Sequence, residues 1–270
     1  MILRFIWYLL FVIYYLTMNI AGIQKLTLVD FPGHVAATVF TRGCTFRCPF
    51  CHNPELVVPE QFSPLLSEKQ IFDFLESRYG KLTGICLTGG EPTMQKDCDQ
   101  FISHMKALGF DMKLDTNGSN PKMLEKIIKD GDVDYIAMDI KGTLEKYPQI
   151  INYQLSIINN GIGNLEIEKL SENWKLKNEN LISNIQKSIK LIMSSGIDYE
   201  FRTTICHPIH EVEDFYGIGE LIKGAKRYFI QQFVKSKHVD AHQNFEPFTD
   251  SEIAKSLDII QQFVKSAEVR

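Results

Sequence analysis

The chain predicts an α/β fold built on a parallel sheet, and three observations carry that expectation. Short apolar runs rich in β-branched residues alternate with amphipathic helical stretches along most of the sequence, the order of repeated β/α units. Six such units follow one another, and strand–helix–strand crossovers within one sheet are right-handed. The chemically distinctive residues fall just after the apolar runs, where a parallel β/α sheet collects its functional groups.

Each element has a local reason. Residues 34–41 (HVAATVFT) read as the first strand. A helix from 68 to about 78 follows, opened by a Ser67/Gln70 capping box and stopped by Gly80. Residues 84–88 form a short apolar strand, and 98–108 an amphipathic helix ended by Gly109. Residues 112–115 give the third strand. Asn120 and Pro121 then open a helix that closes near Gly131. Residues 135–139 are the fourth strand. Residues 180–194 read as a helix with Gly196 beyond it, 199–205 as the fifth strand, 211–222 as a helix, and 227–233 as the sixth strand. The last helix is expected from 251 to about 267.

Two stretches stand outside this rhythm. Residues 144–177 exceed the usual connection between elements and read as a surface insertion within a single domain, 18–270. The heptapeptide Ile-Gln-Gln-Phe-Val-Lys-Ser occurs at 230–236 and again at 260–266. The first copy is expected as strand and the second as helix, because only the second lies in an i, i+3, i+4 apolar pattern (Ile253, Leu257, Ile260, Phe263, Val264).

Composition narrows the function classes. A 270-residue chain with 44% hydrophobic and 23% charged residues is an ordinary globular protein with a substantial core. Its net charge of −4 leaves no electrostatic footprint for nucleic acid. Six cysteines, three of them clustered, read as metal ligation in a reducing compartment and not as a disulfide framework. Cys86, Cys98 and Cys206 read as small buried hydrophobes. His104, His207, His210, His238 and His242 read as surface or capping residues.

The stretch from Thr41 to Pro54 (TRGCTFRCPFCHNP) organises the rest. It sets Cys44, Cys48 and Cys51 at C-x3-C-x2-C spacing directly after the first strand. Three thiolates in so short a loop can converge on one inorganic centre, since closing the loop costs little entropy. Soft thiolates favour zinc or iron–sulfur. Structural zinc and ordinary ferredoxin clusters take four ligands, whereas three suit a four-iron four-sulfur cube with one iron open. A zinc site completed by His52, or incidental thiols, is the competing reading.

The cysteine loop resembles that of the radical S-adenosylmethionine (SAM) enzymes. The surrounding wording, IQKLTLVDFPG at 23–33 and CHNPEL at 51–56, resembles the activating proteins of glycyl-radical enzymes, in particular those of anaerobic ribonucleoside-triphosphate reductase. The likeness runs from about residue 20 to the C-terminus, with a gap at the insertion. It implies an open, partial (β/α)6 radical SAM barrel, a 4Fe-4S cluster on Cys44, Cys48 and Cys51, and SAM as cofactor. Gly89, Gly90 and Glu91 would meet the methionyl amine, the glycines allowing close backbone approach. Asp115, Thr116, Asn117 and Asp139 would serve SAM binding, the aspartates taking its ammonium, its ribose hydroxyls or a monovalent cation. Lys141 would meet the methionyl carboxylate, and Phe50 and His52 the adenine. Arg202 would orient SAM or hold a substrate carboxylate.

The resemblance further implies an electron from flavodoxin or ferredoxin and a glycyl-radical enzyme, anaerobic ribonucleotide reductase, as partner. Abstraction of a C–H hydrogen needs no base, so no catalytic side chain is expected beyond the cluster and SAM. The runners-up are a small-molecule radical SAM enzyme, for example a deazaguanine synthase-like one, and a zinc or thiol interaction module. Such chemistry belongs in the cytoplasm. Residues 5–16 (FIWYLLFVIYYL) are apolar throughout but short of a bilayer span. The expectation is that 1–17 extend upstream of the natural start at Met18, with a membrane tether through 5–23 as the alternative.

Overall fold

One eight-stranded sheet, apolar on one face and partly polar on the other, positions the site. The computed structural model describes residues 18–151, 167–235 and 244–270, with the backbone alone for 167–178. β1 (Ile20–Thr27) pairs antiparallel with β2 (Ala36–Thr41). Parallel ladders then join β2 through β3 (Gly84–Gly89), β4 (Asp111–Thr116), β5 (Tyr135–Asp139), β6 (Asp198–Ile205) and β7 (Tyr228–Gln232) to β8 (Ala267–Val269). The strand order is the chain order, and among the described residues no ladder joins β8 back to β1. The sheet is therefore open, as expected, and β2 to β7 are the six expected strands.

The helices are α1 (Glu68–Glu76), α2 (Cys98–Ala107), α3 (Pro121–Asp130), α4 (Tyr147–Ile151), α5 (Ile167–Ser194), α6 (Asp214–Leu221) and α7 (Asp250–Ile260). Local chemistry sets their ends. Ser67 and Gln70 form a reciprocal capping box on α1, as Thr249 and Glu252 do on α7. Asn120 accepts from the N–H of Met123, Pro121 starts α3, and Gly131 ends it at φ 76°. One face of the sheet, through Val39, Ile85, Leu87, Met112, Leu114, Ile136, Met138, Phe201 and Ile230, is fully buried in the main apolar core shared with the helices. The intervening positions face the concave side and carry Thr38, Lys113, Asp115, Asp139 and Arg202.

Four expectations change. β1 and β8 were not foreseen. α7 stops at Ile260, so the second heptapeptide leaves the helix at its first residue. Backbone bonds from Gly224 N–H to the Phe263 carbonyl (2.8 Å) and from Lys265 N–H to the Ala225 carbonyl (2.9 Å) turn it toward β8. The stretch 144–177 is not wholly surface: Tyr147, Ile150 and Ile151 of α4 are buried, and α5 begins at Ile167. The apolar run at 5–16, residues 152–166, His238 and His242 lie outside the described residues. Among those described, no helix is long and apolar enough to cross a membrane.

Candidate active site

The cysteine loop leaves the C-terminal end of β2 and is tied down at several points. Arg42 N–H donates to the Asn19 carbonyl (2.7 Å), Gly43 N–H to Leu56 (2.8 Å) and Arg47 N–H to Ile151 (2.7 Å). Gly43 turns the chain at φ 99°, a conformation that favours glycine. Phe46 and Phe50, one in each gap between cysteines, are buried at 1% and 3% exposure and hold the loop inward. The result is that Cys44, Cys48 and Cys51 all line one cavity of about 340 Å³. Burial pushes the Cys44 and Cys48 thiols up to about 12 and raises Cys51 as well.

The donor set fits the two candidate inorganic centres unequally. Among the described residues no group of three His, Cys, Asp or Glu side chains could hold a single metal ion. The zinc reading with His52 therefore finds no geometric support; the His52 ring lies against Phe233 instead, 5.8 Å between centroids. A cluster, by contrast, gives each thiolate its own iron. Its positive charge answers the desolvation that otherwise keeps these thiols protonated. Two N–H donors already point at sulfur: Phe46 to Cys44 at 3.4 Å and the Asn117 side chain to Cys44 at 3.6 Å. Such bonds tune cluster potentials. The residues present fit a cluster.

Every SAM-contact residue expected from the sequence lines the same cavity. Gly89 and Gly90 have a packing role there. A Cβ on Gly89 would lie 2.3 Å from Thr41 N, and one on Gly90 would lie 2.0 Å from the Gly43 carbonyl oxygen. These glycines let the end of β3 pack on the backbone of the cysteine loop. Glu91 likewise is a latch, 1% exposed. Its Oε1 accepts from Thr93 N–H (3.1 Å), Thr93 Oγ1 (2.5 Å) and Thr116 Oγ1 (2.7 Å), and its Oε2 from Asn117 N–H (2.6 Å). Burial raises its pKa against those four donors. Glu91 thus fixes the β3 and β4 loops to each other.

Asp115, Asp139, Lys141 and Arg202 form a charge ladder across β4, β5 and β6. Lys113 Nζ bonds Asp115 Oδ1. Arg202 bridges Asp115 Oδ2 (2.9 Å) and Asp139 Oδ1 (2.5 Å), and Lys141 Nζ takes Asp139 Oδ2 at 2.9 Å. Burial is the largest single influence and would raise both carboxyls, yet the Arg202 guanidinium together with Lys113 at Asp115 and Lys141 at Asp139 outweighs it and holds them below the usual carboxylate range. All four carboxylate oxygens are therefore engaged by side-chain cations. Arg202, expected to orient SAM or hold a substrate carboxylate, is engaged inside this ladder.

Sequence reasoning missed Lys113, Tyr147 and His210. Lys113 sits at 2% exposure between two core residues of β4. His210, expected as a surface or capping residue, is fully buried. Thr204 and Gln231 also line the cavity, on inward positions of β6 and β7.

A family model described as the Radical SAM superfamily matches residues 38–215. A Methanocaldococcus jannaschii protein, provisionally named a glycyl-radical enzyme activating enzyme, is 27% identical over 253 residues, 93% of this chain and 95% of that protein. The pyruvate formate-lyase-activating enzyme of Listeria monocytogenes is 30% identical over 138 residues, 46% of this chain and 53% of that enzyme. Among solved structures, QueE from Escherichia coli superposes with a TM-score of 0.52 at 10% identity, covering 94% of this chain and 93% of that one. SuiB from Streptococcus suis, bound to S-adenosylmethionine, gives a TM-score of 0.55 at 14% identity, covering 84% of this chain and 48% of that one. At such identities the likeness is one of fold.

Proposed function

This chain belongs to the radical SAM superfamily, and from that premise we propose that it activates a glycyl-radical enzyme by removing a hydrogen atom from a glycine Cα of a partner protein. One observation carries the reading: the three-cysteine loop opens on the same cavity as the Asp115-Thr116 and Asp139-x-Lys141 pairs. The similarity of nearly the whole chain to the M. jannaschii protein supports it. A cavity of about 340 Å³ falls within the range of small-molecule sites, about 300–1,000 Å³.

Cys44, Cys48 and Cys51 would hold a 4Fe-4S cluster, which with SAM bound supplies the electron that splits the sulfonium carbon–sulfur bond to give a 5′-deoxyadenosyl radical. The chain's own residues bind and shield. Lys141 uses one ammonium hydrogen on Asp139 and keeps donors for the methionyl carboxylate. Gly90 and Glu91 N–H groups are committed to Thr41 and Gly43. The methionyl ammonium, itself a donor, would be met by the carbonyls of Gly89 and Gly90. Phe50 and His52 face the adenine. Phe46 and Phe50 keep water from the loop, protecting a reactive radical. The partner we propose is anaerobic ribonucleoside-triphosphate reductase, with flavodoxin or ferredoxin as reductant.

The test is anaerobic reconstitution with iron and sulfide, then SAM and reductant. Methionine and 5′-deoxyadenosine should be released. Addition of the candidate reductase should give a glycyl signal in electron paramagnetic resonance. Iron-loaded protein that releases neither product refutes the reading. Cleavage without a glycyl signal on any glycyl-radical enzyme refutes the proposed substrate.

A further inference from the structure

The turn Asp139-Ile140-Lys141 is gripped from two sides by residues that do not line the cavity. On one side stands Tyr147, 1% exposed. Its hydroxyl accepts from Lys141 N–H at 3.1 Å and reaches the Asp139 carbonyl at 3.4 Å, so one oxygen spans both ends of the turn. On the other side stands His210, fully buried. Its Nδ1 lies 3.3 Å from the Cys206 backbone N–H, which can only donate. Nδ1 is therefore the acceptor, and the ring hydrogen sits on Nε2, which donates to the Lys141 carbonyl at 2.9 Å. Burial favours this neutral ring, lowering its pKa.

The same two rings meet the cysteine loop. Phe46, between Cys44 and Cys48, packs edge-on against Tyr147 with centroids 6.3 Å apart. Phe50, between Cys48 and Cys51, packs edge-on against His210 at 5.7 Å. Gly142 leaves room for the assembly, since a Cβ there would lie 2.7 Å from Ile150 Cδ1. Two aromatic side chains thus touch the cluster-bearing loop at one end and the backbone of Lys141 at the other.

We infer that His210 and Tyr147 form a bracket that sets the position of Lys141 relative to the cysteine loop, making both positioning residues for SAM. The inference rests on the proposed contact between Lys141 and the methionyl carboxylate. Sulfonium must stand close to the cluster while its carboxylate meets the lysine, so the distance between loop and lysine has to be held. A hydrogen-bonded ring bolted to both elements holds it, because neither ring can shift without losing a buried bond.

The experiment is a double-mutant cycle on reconstituted holoenzyme. SAM affinity is read from the change in the electron paramagnetic resonance spectrum of the reduced cluster. His210→Phe keeps the ring and removes both hydrogen bonds; Tyr147→Phe removes only the hydroxyl and guards against a folding defect in the first variant. Each should weaken SAM binding about tenfold when Lys141 is present, and less than about twofold in a Lys141→Met background, as coupled residues do. Affinity retained in both single variants, or an equal loss in both backgrounds, overturns the bracket. Unchanged affinity in Lys141→Met alone overturns the lysine contact on which it rests. These patterns are distinct, so the two failures cannot be confused.

Discussion

Replacing Arg202 by Met removes the one residue that joins Asp115 to Asp139. Each aspartate keeps a single cationic partner, Lys113 or Lys141, and each loses a bond to the guanidinium. Breaking a buried ion pair by truncating one partner costs about 3–5 kcal/mol, because it strands a charge. Two retained partners, and the 27% exposure of the Asp139 side chain, place this case at the lower end, about 3 kcal/mol. For a chain of this size that corresponds to a fall in melting temperature of about 6–12 °C.

The effect should depend on pH with a definite sign. In the native protein both carboxyls lie below their unfolded values. Their stabilisation is present above an unfolded pKa of about 3.9 and is lost as pH falls through the native values. In the variant, the Arg202 share of what offsets burial is gone, so the carboxyls rise. Protonation then relieves the stranded charge as pH falls. The gap between the two proteins should be widest near neutral pH and narrow as the solution is acidified. Denaturant unfolding of the metal-free protein at several pH values measures it. A loss below about 1 kcal/mol at neutral pH, or one that does not change with pH, would refute the ladder as a buried charge network.

The remaining expectations are quicker to state. Cys48→Ala should abolish visible cluster absorption and SAM cleavage. Cys98→Ala, in the apolar core on α2, should leave both and cost about 1 kcal/mol. Gly90→Ala drives a Cβ into the Gly43 carbonyl, so iron content per protein should fall with a stability loss of about 3 kcal/mol. SAM affinity of the wild-type holoenzyme should be the same in potassium, sodium or choline chloride, since all four carboxylate oxygens are engaged; a strong potassium or sodium requirement would contradict that.

What could be read from the chain was whatever repeats. The β/α rhythm put β2 to β7 in place because each strand is an apolar run followed by a capped helix. β1 escaped because an edge strand with Gln24, Lys25 and Leu26 exposed carries no apolar run. β8 escaped because the helical pattern runs on through Phe263 and Val264, while the hydrogen bonds that end the helix come from Gly224 and Ala225, some forty positions upstream. The residues that line the cavity, and that we propose hold the cluster and SAM, were legible because they follow strands. His210 was not, since a lone histidine in a polar loop looks like surface until the loop after β6 folds back on Lys141.

One further signal was present in the strands themselves. A parallel sheet covered by helices on both faces has strands apolar on both faces. Here Lys113 sits between Met112 and Leu114, and Glu200 and Arg202 flank Phe201, all within single strands. Charged side chains in mid-strand need partners, because an unpaired buried charge is strongly unfavourable. They find them only if their face is concave and its members meet: Lys113 with Asp115, Arg202 with both aspartates, Glu200 with Arg270 at 2.9 Å and with the Tyr135 hydroxyl at 2.7 Å. Apolar–charged alternation inside a β/α repeat therefore marks a sheet with helices outside and a polar hollow within. The hollow is where we propose that SAM binds, and the alternation marks that hollow independently of the cysteines.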